Sequence, residues 1–145
     1  MNWGALLADV GLVLAAFALA LPIGWERDDA DRPAGLRTFP LVGLASCAFM
    51  LLGVRAFPDS PDAQARILQG LITGIGFIGG GAILKDGSAG HVRGIATATS
   101  IWSTGAIGAA VALERFELGV VLSLMNFLIL RWIRPLADKG GKECD

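Results

Sequence analysis

Charged side chains are spread unevenly along this 145-residue chain, and the gaps between them set its first reading. Glu26 to Arg37 holds seven charged residues, whereas Phe39 to Val54 and Ile67 to Leu84 hold none. Long apolar runs alternating with short charged ones predict helices that cross a membrane, because ~20 apolar residues in a helix span the ~30 Å hydrocarbon core. Five such spans follow: Trp3 to Gly24, Thr38 to Val54, Ile67 to Leu84, Gly94 to Leu113 and Leu118 to Ile133. The second and fifth are short, and tilt, local thinning or burial against neighbours accommodates such lengths. The expected fold is all-α, a polytopic membrane protein of about five transmembrane helices.

Composition agrees with the pattern. A hydrophobic content of 54% and a mean hydropathy of +0.61 exceed those of an ordinary soluble domain. Lys and Arg placement orients the chain. With the N-terminus outside, the inner segments carry Arg27, Arg32, Arg37, Lys85, Arg93, Arg131, Arg134, Lys139 and Lys142, nine of the twelve basic residues, and the outer ones carry Arg55, Arg66 and Arg115. The positive-inside rule therefore places the C-terminus in the cytoplasm. Residues 1–136 are expected to form one transmembrane domain and 137–145 a short cytoplasmic tail. Ala18-Leu19-Ala20 imitates a signal-peptidase site, but no basic residue precedes it, so the first span is expected to be retained. A net charge of -1 without a coherent basic patch argues against nucleic acid as a partner. Cys47 and Cys144 fall at different depths, and no disulfide is expected.

Gly70 to Gly81 places six glycines in twelve residues inside the third span. It contains G-x-G-x-x-G at Gly74, Gly76 and Gly79. A dinucleotide fingerprint needs a preceding strand, a following helix and an acidic residue about twenty positions on, where Thr99 stands instead. The glycines read better as a packing surface. Gly70 with Gly74, and Gly76 with Gly80, are small-xxx-small pairs on neighbouring faces, so two different partners can approach closely. Gly79-Gly80-Gly81 exceeds what packing requires, since each glycine costs about 1 kcal/mol in helix propensity relative to alanine. A helix broken there would expose N–H groups or carbonyls to a ligand, which leaves close packing and ligand binding both open.

The fourth span is the most polar. Arg93, Thr97, Ser100, Thr104 and Gly108 recur at helical spacing as one stripe, with Thr99 and Ser103 beside it. Such hydroxyls either bond across helix contacts or line a polar pathway. Asn126 near the middle of the fifth span bonds across helices within the chain or between copies. Asp9 lies near the outer end of the first span, and Trp3, Trp25 and Trp132 sit at span ends as interfacial anchors. The first inner loop interleaves both signs of charge. Glu26, Arg27, Arg32 and Arg37 there, with Arg93 from the second inner loop, are expected to form an ion-pair cluster. His91 has no second histidine to pair with, so no metal site is assigned, and no cofactor is expected.

Four segments together resemble the MgtC/SapB family of bacterial inner-membrane proteins. They are Gly24-Trp25-Glu26-Arg27, Arg32-Pro33-Ala34-Gly35-Leu36-Arg37-Thr38, Gly74 through Leu84, and Val92-Arg93-Gly94-Ile95-Ala96-Thr97-Ala98-Thr99-Ser100-Ile101-Trp102. The resemblance covers the hydrophobic N-terminal domain of that family, without the cytoplasmic C-terminal domain of longer members. Ala96 stands where many members have threonine, and Thr99 adds a hydroxyl where small apolar residues are usual. The resemblance implies a multi-pass inner-membrane regulatory protein, linked in some members to growth at low magnesium and to virulence. It also implies action through membrane partners, including the proton-translocating ATP synthase; a homodimer or other homo-oligomer is expected from the small-residue faces of the third span. Neither an ordered base nor a nucleophile at motif spacing is present, so catalysis is not expected. The competing class is a small transporter or channel for magnesium, protons or an anion, motivated by the polar stripe opposite the glycine-rich span.

Overall fold

The structure is a computed structural model that describes residues 2–28, 34–85 and 92–133. Arg32, His91, Arg134, Lys139, Lys142, Cys144 and the whole 137–145 tail lie outside the described residues. Five α-helices make up the described chain: α1 Trp3–Arg27, α2 Thr38–Ala56, α3 Pro61–Gly81, α4 Ile95–Ala112 and α5 Phe116–Leu128. The last runs on into a wider turn at Ile129–Ile133. A two-stranded antiparallel hairpin, β1 Leu84–Lys85 and β2 Val92–Arg93, stands between α3 and α4. Three helices, α1, α2 and α4, are long and apolar enough to cross a membrane.

Local chemistry sets the helix ends. Asn2 caps α1 by accepting from the Gly4 and Ala5 amides at 3.2 and 3.4 Å. The Gly35 carbonyl accepts from Thr38 N and Phe39 N at 3.0 and 3.3 Å, closing the turn into α2. Ser60 accepts from Ala63 N at 3.4 Å and Pro61 occupies the first turn, which is why α3 begins six residues before the apolar run does. At its other end α3 stays continuous through Gly79 and Gly80 and stops after Gly81. Amides of Ala82 and Ile83 there bond back to Gly79 O and Gly80 O at 3.0 and 3.1 Å. The glycine triplet is thus a helix terminus rather than an interior break.

Helix α4 is the centre of the bundle and packs against all four others. Twelve of its eighteen residues are buried, whereas α3 buries only Ile75 and Gly79 and stands at the periphery. One core layer joins Ile23, Phe39, Val42, Ile101, Ile107 and Leu130, and a second joins Leu12, Cys47, Met50, Leu51 and Val111. In hydrocarbon the hydrophobic effect does not hold helices together, so tight contact between small residues must do so. The bundle centre meets this demand. A Cβ on Gly43 of α2 would lie 3.1 Å from both Ala16 O and Ala20 Cβ of α1 and 3.6 Å from Thr104 Cγ2 of α4. A Cβ on Gly108 would overlap the Gly43 carbonyl oxygen and lie 2.7 Å from Ser46 Cβ and 2.9 Å from Cys47 N.

Candidate functional site

Three of the five hydroxyls of α4 point into the bundle. Thr97, Ser100 and Thr104 are buried, and Ser46 of α2 is buried with them. Thr104 Oγ1 donates to Ser100 O at 2.8 Å, and Ser100 Oγ lies 2.7 Å from Ala96 O and 3.1 Å from Asn126 Oδ1. Ser100 has one proton for those two acceptors, so it serves one of them at a time. Asn126 Nδ2 is buried without a partner among the described residues. One turn earlier on the same buried face of α5, Ser123 Oγ donates to Leu19 O at 2.6 Å and ties α5 to α1. Hydroxyl bonds back to carbonyls one turn earlier satisfy Ser100 and Thr104 locally. Thr99, donating to Ile95 O at 2.9 Å, does the same on the exposed face.

Arg93 is not on this stripe. The expected helical register from Arg93 to Gly108 breaks at Gly94, whose φ of +90° is a left-handed conformation that ends β2 and starts α4. Arg93 is exposed on the hairpin, and Arg37 is exposed at the start of α2; neither makes an ion pair among the described residues. Glu26 instead meets Arg131, with Nη1 at 3.5 Å from Oε2 and the carboxylate side chain only 13% exposed. Arg27 is half-buried next to it in sequence. The structure therefore joins α1 to the end of α5 through a residue that charge counting treated only as a topology signal. At the other end of the bundle, Asp9 Oδ1 accepts from Arg55 Nη2 at 2.6 Å and from Nε at 3.2 Å, tying α1 to α2.

The α3 glycines divide sharply. Gly79 backs onto α4, where a Cβ would lie 3.1 Å from Ala98 O. Gly70, Gly74, Gly76, Gly80 and Gly81 face open space within this single chain. Gly70 and Gly74 line a groove of about 710 Å³ shared with α2, while Gly76 and Gly80 lie about a third of a turn away around the helix. Between these faces Phe77 projects outward, 86% exposed. Besides Gly79, the glycines that pack between helices include Gly43, Gly53, Gly105, Gly108 and Gly119. A Cβ on Gly105 would overlap Ile75 Cδ1, and one on Gly119 would lie 3.2 Å from Leu19 Cδ1 and 3.3 Å from Val111 Cγ2. Small residues four apart mark most of them: Ala16 and Ala20, Gly43 and Cys47, Gly105 and Ala109, Gly108 and Ala112. Among the described residues no group of His, Cys, Asp and Glu is assembled as a metal site.

Long apolar helices packed through small residues, with hydroxyls turned inward and charges kept to the ends, define a helical membrane protein. The MgtC family model matches residues 13–139, and the chain belongs to that family. It is similar to SrpB of Synechococcus elongatus, 34% identical over 134 residues that cover 86% of this chain and 74% of SrpB. It is 38% identical to YhiD of Escherichia coli over 133 residues, 88% of this chain and 60% of YhiD. Identity to MgtC of Salmonella typhimurium is 37% over 127 residues, 88% of this chain and 53% of that protein. The chain thus spans little more than half the length of MgtC. No solved structure matches it.

Proposed function

We propose that this chain is a multi-pass regulatory protein of the bacterial inner membrane that acts by binding other membrane helices rather than by catalysis. All five helices cross the bilayer, with the N-terminus outside and the C-terminus in the cytoplasm. Its setting is adaptation to magnesium limitation or virulence, in keeping with its family. The observation that carries the reading is the outward face of α3. Gly76 and Gly80 stand there with open space where a Cβ would be, next to the exposed Phe77. A face with small residues four apart lets a partner helix approach to backbone contact, where van der Waals packing is strongest in lipid. Partners of this chemistry are a second copy of the chain and a helix of another membrane protein, the ATP synthase among them.

Crosslinking in native membranes tests the proposal. Cysteine at Thr73 or Phe77 is expected to trap a second copy or a distinct membrane protein, and Gly76→Leu with Gly80→Leu to abolish the product while the protein stays folded. A monomer that crosslinks to nothing, with magnesium-limited growth indifferent to both substitutions, would refute it.

A further inference from the structure

Helices α2 and α3 form a wedge. At one end they touch: a Cβ on Gly53 would lie 2.7 Å from Ile67 Cδ1. From there α3 leans away onto α4, with Ile75 against Gly105 and Gly79 against Ala98. The space left between α2 and α3 is the 710 Å³ groove. Leu41, Val42, Ala45 and Phe49 form one wall; Ile67, Gly70, Leu71, Gly74, Ile75 and Ile78 form the other. Thr38 and Ser46 are its two hydroxyl residues. On each helix the lining runs over eleven residue steps, which at the helical rise is about 16 Å, roughly half the hydrocarbon thickness. The lining therefore starts at one interface and is about as long as one leaflet is deep, and the two helices meet beyond it at Gly53–Ile67, toward the far end of α2.

Arg37 immediately precedes Thr38 at the open end. It is exposed and makes no ion pair among the described residues. The first amides of α2 are already engaged, Thr38 N and Phe39 N with Gly35 O, so the cation there is the guanidinium itself. A tapering apolar cleft whose lining is about as long as one leaflet is deep, with a cation at its mouth that is unpaired among the described residues, suits a flexible chain bearing an anionic head. A cylindrical helix about 10–12 Å across would be stopped by the Gly53–Ile67 contact. A smaller groove of about 220 Å³ between α3 and α4 lacks this match: Arg115, in the turn that bounds it, is paired with Glu117.

We infer that the α2–α3 groove binds an anionic glycerophospholipid, one acyl chain lying between Leu41–Phe49 and Ile67–Ile78 and its phosphate held by Arg37. The inference rests on the membrane reading of the helices. In the proposed topology Arg37 faces the cytoplasm, so the lipid belongs to the inner leaflet. Gly70 and Gly74 keep the α3 wall low enough for the chain to enter.

The test is photocrosslinking of the full chain in phosphatidylcholine nanodiscs that contain a minor fraction of phosphatidylglycerol with a diazirine on its acyl chain. Adducts are expected on the peptides spanning 41–49 and 67–78, above the level on α1 and α5. Arg37→Gln is expected to lower that yield about fivefold, the factor for loss of one interfacial cation, and to leave adducts of diazirine phosphatidylcholine unchanged. Gly74→Leu should abolish groove adducts of both lipids and Gly80→Leu should not; Ala45→Phe blocks the cleft from the other wall if the first variant does not fold. Adducts spread evenly over all outer faces, or no difference between the two lipids, would overturn the inference. So would efficient disulfide formation between copies through Ala45→Cys in a chain whose Cys47 and Cys144 are replaced by alanine. Membrane-impermeant maleimide at Leu36→Cys reads the sidedness separately: labelling from outside would refute the proposed topology and leave the groove adducts standing.

Discussion

Glycine plays opposite roles at different positions of this chain, and substitution separates them. Gly108 sits against backbone atoms of α2 that cannot move aside, so Gly108→Leu is expected to destabilise the protein by about 3 kcal/mol, the upper range for overpacking. Gly76 faces open space, and Gly76→Ala should raise stability by up to about 1 kcal/mol through helix propensity. Reversible unfolding in mixed micelles measures both, and equal effects at the two sites would contradict the packing described. Asn126 gives a different contrast. Ser100 keeps its bond to Ala96 O when the amide is removed, and Nδ2 has no partner among the described residues to lose, so Asn126→Leu should shift stability by less than about 1 kcal/mol. A loss several times larger would mean that Nδ2 bonds to another molecule in the membrane.

Among the elements, the connection from α3 to α4 depends most on one residue. Gly94 has φ +90° and its missing Cβ leaves room for the Ala82 carbonyl, which an alanine there would overlap. Gly94→Ala is therefore expected to cost about 2–3 kcal/mol locally. It should also speed amide exchange at Ala98, whose N–H bonds to Gly94 O at 2.8 Å, and unchanged protection at Ala98 would refute the role assigned to this turn. The apolar runs made the helices legible from the chain because they are local signals, whereas hydropathy alone starts the third at Ile67, six residues after the point where Ser60 and Pro61 begin α3. The Arg93 stripe was misread for a local reason too: helical spacing continues arithmetically through a residue whose backbone leaves the helix. The Glu26–Arg131 pair, 105 positions apart in sequence, had no local signal at all.

For the whole molecule, sidedness and transport are the open measurements. Leu36→Cys should be labelled only from the cytoplasmic face and Asp59→Cys only from outside; the reverse pattern would invert the topology. Proteoliposomes under a gradient are expected to show no flux of magnesium, protons or anions, because Ser100 and Thr104, the hydroxyls a pathway through α4 would use, are bonded to carbonyls of their own helix. Sustained flux abolished by Thr104→Val would establish the transporter instead. The sequence by itself determined that this is a helical membrane protein, roughly where its apolar helices lie and which family it belongs to, since hydropathy and motif order are both written along one chain. Which glycines bind which helices was decided only in three dimensions. Close approach depends on the rotation of each helix about its axis, and that rotation is chosen by all the neighbours at once: Gly43 and Gly108 were turned inward, and most of the conspicuous α3 run was left facing out.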